Sequence, residues 1–137
     1  MHRMNWTRVG LAILASGFVA SFTDWLFMGM LFHDRYLAFP QIWRKKPGEP
    51  DKALVAGSQM IGLISCAAFV LVCARLGIHT WSASLKLAVA VWAMGPLPIL
   101  VQNGMWMKIH PQVTGAHVTG WLVRLMICAV AVMWIVA

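Results

Sequence analysis

Charge is scarce in this sequence. Only 11% of its 137 residues are Asp, Glu, Lys or Arg, 61% are hydrophobic, and the mean hydropathy is +0.74. A soluble domain carries roughly a quarter charged residues. Too few charges are present to coat a water-facing surface, which excludes an ordinary soluble enzyme. Disordered and collagen-like chains are excluded by the same composition. Cysteine is scarce as well. Cys66, Cys73 and Cys128 all fall inside apolar runs, and an odd number so placed excludes a disulfide scaffold and argues against a zinc site. They read as small helix-packing residues. Acidic residues number 4 against 11 basic ones, for a net charge of +7. No basic–aromatic pattern of a nucleic-acid module accompanies that excess, so nucleic acid is not an expected partner. The basic residues cluster in loops beside apolar spans, as in the cytoplasmic loops of membrane proteins.

What is present is long apolar runs. A spanning helix needs about 20 mostly apolar residues, and four stretches qualify, at about 9–32, 53–76, 84–105 and 117–137. Backbone groups in lipid must be satisfied internally, so helices are expected, and strand-like alternation is absent. The first run continues through Leu26, Phe27, Met28, Gly29, Met30, Leu31 and Phe32. That is longer than a signal-peptide core of about 7–15 residues, so a retained first helix is expected. The predicted fold is all-α: a polytopic integral membrane protein, a four-helix up-down bundle in one transmembrane domain over residues 1–137, with the lipid bilayer as its first partner.

Loop 1, about His33 to Lys52, holds Pro40, Pro47 and Pro50 and the basic run Arg44-Lys45-Lys46, a candidate contact for anionic lipid. Loops 2 (about 77–83) and 3 (about 106–116) are short, which makes sequential helices antiparallel neighbours. Arg35, Arg44, Lys45, Lys46, Lys52 and Lys108 lie on the side of loops 1 and 3, against Arg3, Arg8, Arg75 and Lys86 on the side of the termini. The basic excess places loops 1 and 3 in the cytoplasm.

Intramembrane polar residues are costly and therefore informative. Asp24 lies about 12 Å below the loop 1 surface at 1.5 Å per residue, and Arg124 about 10 Å below that of loop 3 if helix 4 opens at His117. The two charges thus come to matching depth. On helix 1, Gly10, Gly17, Ser21 and Asp24 share a stripe. On helix 4, His117, Gly120, Arg124, Cys128 and Ala131 do. An Asp24–Arg124 ion pair across the bundle interior is predicted. Gln59 enters from the same side on helix 2, Gln102 and Asn103 near the end of helix 3. Asp24, Gln59, Asn103, His117 and Arg124 therefore make up a candidate one-sided ligand or proton site. Trp25 is a candidate wall for it. The plain alternative is a buried pair that locks four helices in register.

Pro96 and Pro98 break helix 3 and leave the carbonyls of Trp92 and Met94 without their helical partners. His110 and His117 are separated by Pro111, and no HExxH, CxxCH or facial-triad motif is present, so neither metal nor cofactor is expected. The tryptophans near predicted span ends, Trp6, Trp43, Trp81, Trp106 and Trp121, fit an aromatic belt.

The segment Asp24-Trp25-Leu26-Phe27-Met28-Gly29, with Phe32, Tyr36, Pro40 and Trp43-Arg44, resembles the first helix and loop of a family of small bacterial membrane proteins. That family is the domain of unknown function numbered seventeen sixty-one. Gly120-Trp121-Leu122-Val123-Arg124-Leu125 is similar to its last helix. The resemblance implies a compact four-helix protein of the bacterial inner membrane. It carries no reaction and no catalytic residues.

Three functions compete. The first is binding or transport of a small or lipid-like ligand at the polar cluster, with Arg124 holding an anionic group, as a homo-oligomer where transport is involved. The second is an accessory or assembly subunit of a larger membrane complex, with the cluster as a lock. The third, a membrane enzyme using His117 or Asp24 as a base, ranks last, because no nucleophile or cofactor fingerprint accompanies them.

Overall fold

In a computed structural model the chain is all-helical; the structure describes residues 5–46 and 48–137. Arg3 and Pro47, used above for charge bias and loop chemistry, lie outside the described residues. Helix α1 (Trp6–Asp24) continues as a π-helical segment, Trp25–Leu31, closed by the Phe32 N–H on the Phe27 carbonyl at 3.0 Å. Two 3₁₀ turns, His33–Ala38 and Pro40–Ile42, form the first half of loop 1. Helix α2 (Lys52–Arg75) follows, then α3 (Trp81–Met94), α4 (Pro96–Trp106) and α5 (Pro111–Ala131), which ends in a second π-helical segment, Val132–Val136.

Joined end to end these give four elements long and apolar enough to cross a membrane: Trp6–Leu31, Lys52–Arg75, Trp81–Trp106 and Pro111–Val136. The starts of α1 and α3 have a local cause. The Asn5 side chain accepts from the Arg8 N–H at 3.2 Å, and Thr80 from Ala83 at 3.3 Å, both ordinary N-caps. Helix α2 stops at Gly77, whose φ of 64° lets Ile78 N–H reach the Cys73 carbonyl at 3.0 Å, a glycine-terminated Schellman close.

The last helix corrects the sequence reading. It begins at Pro111, not at His117. Pro111 is a helix starter at the first helical position rather than a breaker, and His110 caps it through Nδ1, which accepts from Gln112 N–H at 3.2 Å. Loop 3 shrinks to about four residues. The break in the third span is where the prolines put it: α3 ends at Met94, Gly95 has φ −114° and ψ −88°, and α4 starts at Pro96.

The core sits where α5 meets α1, α2 and α3. Val9, Ala12, Ser16, Gly17 and Ala20 form the buried stripe of α1; Gly62, Cys66, Phe69, Val70 and Cys73 that of α2. Gly17 and Asp24 fall on or beside the α1 stripe as expected. Gly10 does not: a side chain there would meet nothing within 4 Å. All three cysteines are free and buried. Many of the buried residues are small, so the helices approach closely, as small residues permit between apolar helices. Helix α3 is held to α5 by two polar contacts. Ser84 Oγ donates to the Ala129 carbonyl at 3.2 Å and Trp92 Nε1 to that of Val118 at 2.9 Å. Outward faces are strongly apolar, with Phe18, Met94, Met105, Trp106 and Trp134 among the most exposed side chains.

Candidate functional site

The site is built from the centre outward. Arg124 stands near the middle of the element Pro111–Val136 and is 6% exposed. Burying an unpaired guanidinium is prohibitive, so its surroundings must neutralise and hydrogen-bond it. Asp24 of α1 does so, Arg124 Nη2 donating to Asp24 Oδ2 in an ion pair. The Trp121 ring, one turn back on α5, lies 5.0 Å from the guanidinium carbon, within the range of a cation–π contact. Gly62 of α2 supplies the space. A Cβ on Gly62 would fall onto the guanidinium itself. Three helices thus meet on one charged group.

The expected depth match was reached by a wrong route. Because α5 opens two turns early, Arg124 lies about 20 Å along it rather than 10 Å. The chain beyond Leu31 makes up the difference. The 3₁₀ turn His33–Ala38 packs against the first turns of α5, so the loop 1 end of the bundle is thicker than the apolar run implied.

That outer layer is organised by Tyr36. Its hydroxyl lies 2.8 Å from His117 Nε2 and 2.8 Å from Met28 Sδ. A thioether sulfur only accepts. When the phenol proton is on Met28, His117 must therefore donate from Nε2–H. The Tyr36 and Trp43 rings pack at 5.1 Å, and Trp43 Nε1 donates to the Tyr36 carbonyl at 2.6 Å. One side chain thus ties loop 1 to α5 and to the π-helical segment. Burial first, and the nearby Asp24 carboxylate second, push the Tyr36 phenol well above its usual range.

Gln59 lies on α2 one turn before Gly62, on the same face and about 4.5 Å nearer the loop 1 end. Its Oε1 is buried and has no hydrogen-bond partner among the described residues. Asn103 and Gln102 are exposed and stand apart from the cluster. The reason is rotational. Gly104 is the residue of α4 that faces α5, where a Cβ would lie 2.7 Å from Thr114 Oγ1, and each step along a helix turns about 100°, so Asn103 points away. Trp25 is not a cavity wall either. It is 53% exposed and packs on Phe22 at 5.7 Å.

The structure therefore divides the five expected site residues. Asp24 and Arg124 form the inner pair, His117 and Gln59 lie toward loop 1, and Asn103 is outside. Gly62, Met28 and Tyr36 were not among the expected site residues, although Met28 and Tyr36 belong to the segment that resembles the family. Gly62 could have been found as a member of the small stripe Gly62, Cys66, Cys73. Tyr36 is the sole tyrosine of the chain, but no periodicity points a loop residue inward. Among the described residues no three His, Cys, Asp or Glu side chains come together.

The family model described as protein of unknown function (DUF1761) matches residues 11–133, and the chain belongs to that family. No curated protein and no solved structure matches it.

Two predictions follow from this geometry. Asp24→Asn and Arg124→Gln should each cost about 3–5 kcal/mol of stability, and the double variant should recover much of it, since breaking one partner strands a buried charge. Gly62→Ala should resemble Arg124→Gln, because its methyl displaces the guanidinium; thermal unfolding in detergent measures all four. The second concerns the lone tyrosine. With a folded value above the unfolded one, Tyr36 contributes stability that is complete below pH ~10 and is lost as pH rises through the folded value. Phenolate absorbance should appear near pH ~10 in the unfolded chain and only at markedly higher pH in the folded one.

Proposed function

We propose that this member of the DUF1761 family is a small integral membrane protein, four spans closed around the Asp24–Arg124 pair, that binds a small or lipid-like ligand from the loop 1 face. The carrying observation is Gln59 Oε1, a buried acceptor without a partner among the described residues. Buried polar atoms in native proteins are nearly always satisfied, and an exception calls for an explanation. A ligand hydroxyl or amine entering beside His117 would supply the missing donor. The exposed Arg44, Lys45 and Lys46 at the rim suit an anionic headgroup. A phospholipid carrying both a phosphate and a free hydroxyl meets both requirements. Arg124 is not the anion holder in this reading, because Asp24 already takes its charge.

The apolar outer faces suit lipid contact, and the basic excess of loops 1 and 3 supports their cytoplasmic placement in a bacterial inner membrane. Transport would require a homo-oligomer, since the ion pair fills the bundle's own interior. The second reading, an accessory subunit of a membrane complex, is favoured by one observation: Arg124 is fully engaged by Asp24, Trp121 and the space over Gly62, as a lock requires.

Gln59→Leu separates the two. Thermal stability in detergent is measured with added phosphatidylglycerol or phosphatidylcholine. The ligand reading expects phosphatidylglycerol to stabilise the parent chain selectively, and Gln59→Leu to abolish that response. If instead the variant is simply more stable by about 1–3 kcal/mol, as removal of an unsatisfied buried acceptor allows, and the lipid response is unchanged, the accessory reading holds. A topology reporter fused after Ala137 should read outside the cytoplasm.

A further inference from the structure

The Tyr36 hydroxyl is the meeting point of two side chains with lone pairs. Met28 Sδ and His117 Nε2 each lie 2.8 Å from it, and they come from different elements, the π-helical segment and α5. The three donor atoms are one thioether sulfur, one imidazole nitrogen and one phenol oxygen. Thioethers select soft ions, and imidazole accepts Cu as readily as Zn. None of the three needs a net loss of a proton to coordinate, because the imidazole can carry its one proton on Nδ1 in place of Nε2.

The thioether is held in place. Gly120 of α5 leaves room for the Met28 methyl, which lies 3.4 Å from where a Cβ on Gly120 would stand. That contact fixes Met28 against α5 one turn from Arg124 and about one turn from His117. The ring of His117 is in turn set edge-on to Tyr36, at 5.9 Å between centroids. All three residues are partly exposed, so the group is reachable from the loop 1 side. The nearest buried charges, Asp24 and Arg124, neutralise each other.

We propose that Met28 Sδ and His117 Nε2, with the Tyr36 phenol as a weaker third donor, form a binding site for a soft monovalent cation of the Cu(I) class. On binding, the ion takes the lone pairs of sulfur and Nε2. The imidazole proton moves from Nε2 to Nδ1 by exchange with water, the phenol stays protonated, and no electron is transferred. This inference goes beyond the lipid-like ligand reading and does not depend on it, because neither Gln59 nor the basic rim takes part.

The test uses silver ion as a redox-inert stand-in, titrated into the full chain in detergent with methyl-13C-labelled methionine and 15N-labelled histidine. One methionine methyl resonance, the one missing from Met28→Leu, should move with the first equivalent, and one histidine Nε2 resonance should move in step with it. His117→Gln should weaken binding at least tenfold. Tyr36→Phe should weaken it less, and Gln59→Leu should leave it unchanged. The proposal is overturned if silver is taken up while the Met28 resonance stays still, as binding at Cys66, Cys73 or Cys128 would give, or if the Met28 response survives in His117→Gln. Should a variant not fold, the paired methyl and Nε2 movements in the unaltered chain decide, and movement of one without the other overturns the site.

Discussion

A buried guanidinium is the constraint around which this bundle is arranged. Arg124 cannot be withdrawn from water without a counter-charge, a hydrogen-bond acceptor and space. The fold assigns each to a different part of the chain: Asp24 of α1, the Trp121 face on α5 itself, and the bare backbone of α2 at Gly62. These requirements set the register of α1, α2 and α5 against one another. One turn further in, Cys66 and Cys128 fall opposite each other beside Ser16, so the small buried residues below the pair follow from the same alignment. Helix α3 is tied on separately through Ser84 and Trp92.

The polar interior is layered, not pooled. The inner layer satisfies itself: carboxylate and guanidinium are paired, and the space beside them is closed by Gly62. The outer layer leaves hydrogen-bonding capacity over. Tyr36 has one proton and two neighbours, and Gln59 keeps a buried carbonyl oxygen without a donor. The proposed binding of an outside molecule rests on that outer layer, and loop 1 contributes to it. Its 3₁₀ turns bring the Tyr36 ring over α5, and its next turn carries the basic residues to the rim.

Residues of the inner layer were legible because they obey helical periodicity. Asp24 and Arg124 are rare charges within long apolar runs, each on a stripe of small residues, and a stripe on an apolar helix must face another helix. Gln59 was legible by depth alone, as a polar residue a few positions into the second apolar run. Asn103 was placed by depth alone, near the end of the third run, and depth does not give the facing that α4 takes after Gly95 and the two prolines restart the helix. His117 was found, but its depth was misjudged, because Pro111 begins a helix where a proline in a short loop reads as an interruption.

The sequence by itself determined the all-helical class, four helical elements long and apolar enough to cross a membrane, the break in the third of them and the pairing of Asp24 with Arg124. These depend on composition and on the 3.6-residue period, which are local properties of the chain. Only the tertiary structure decided that Gly62 faces Arg124, that Tyr36 joins Met28 to His117, and that Asn103 faces outward. Each of these depends on the rotation and height of one element against another. That rotation is set by close packing at a few small residues, and no single segment contains it.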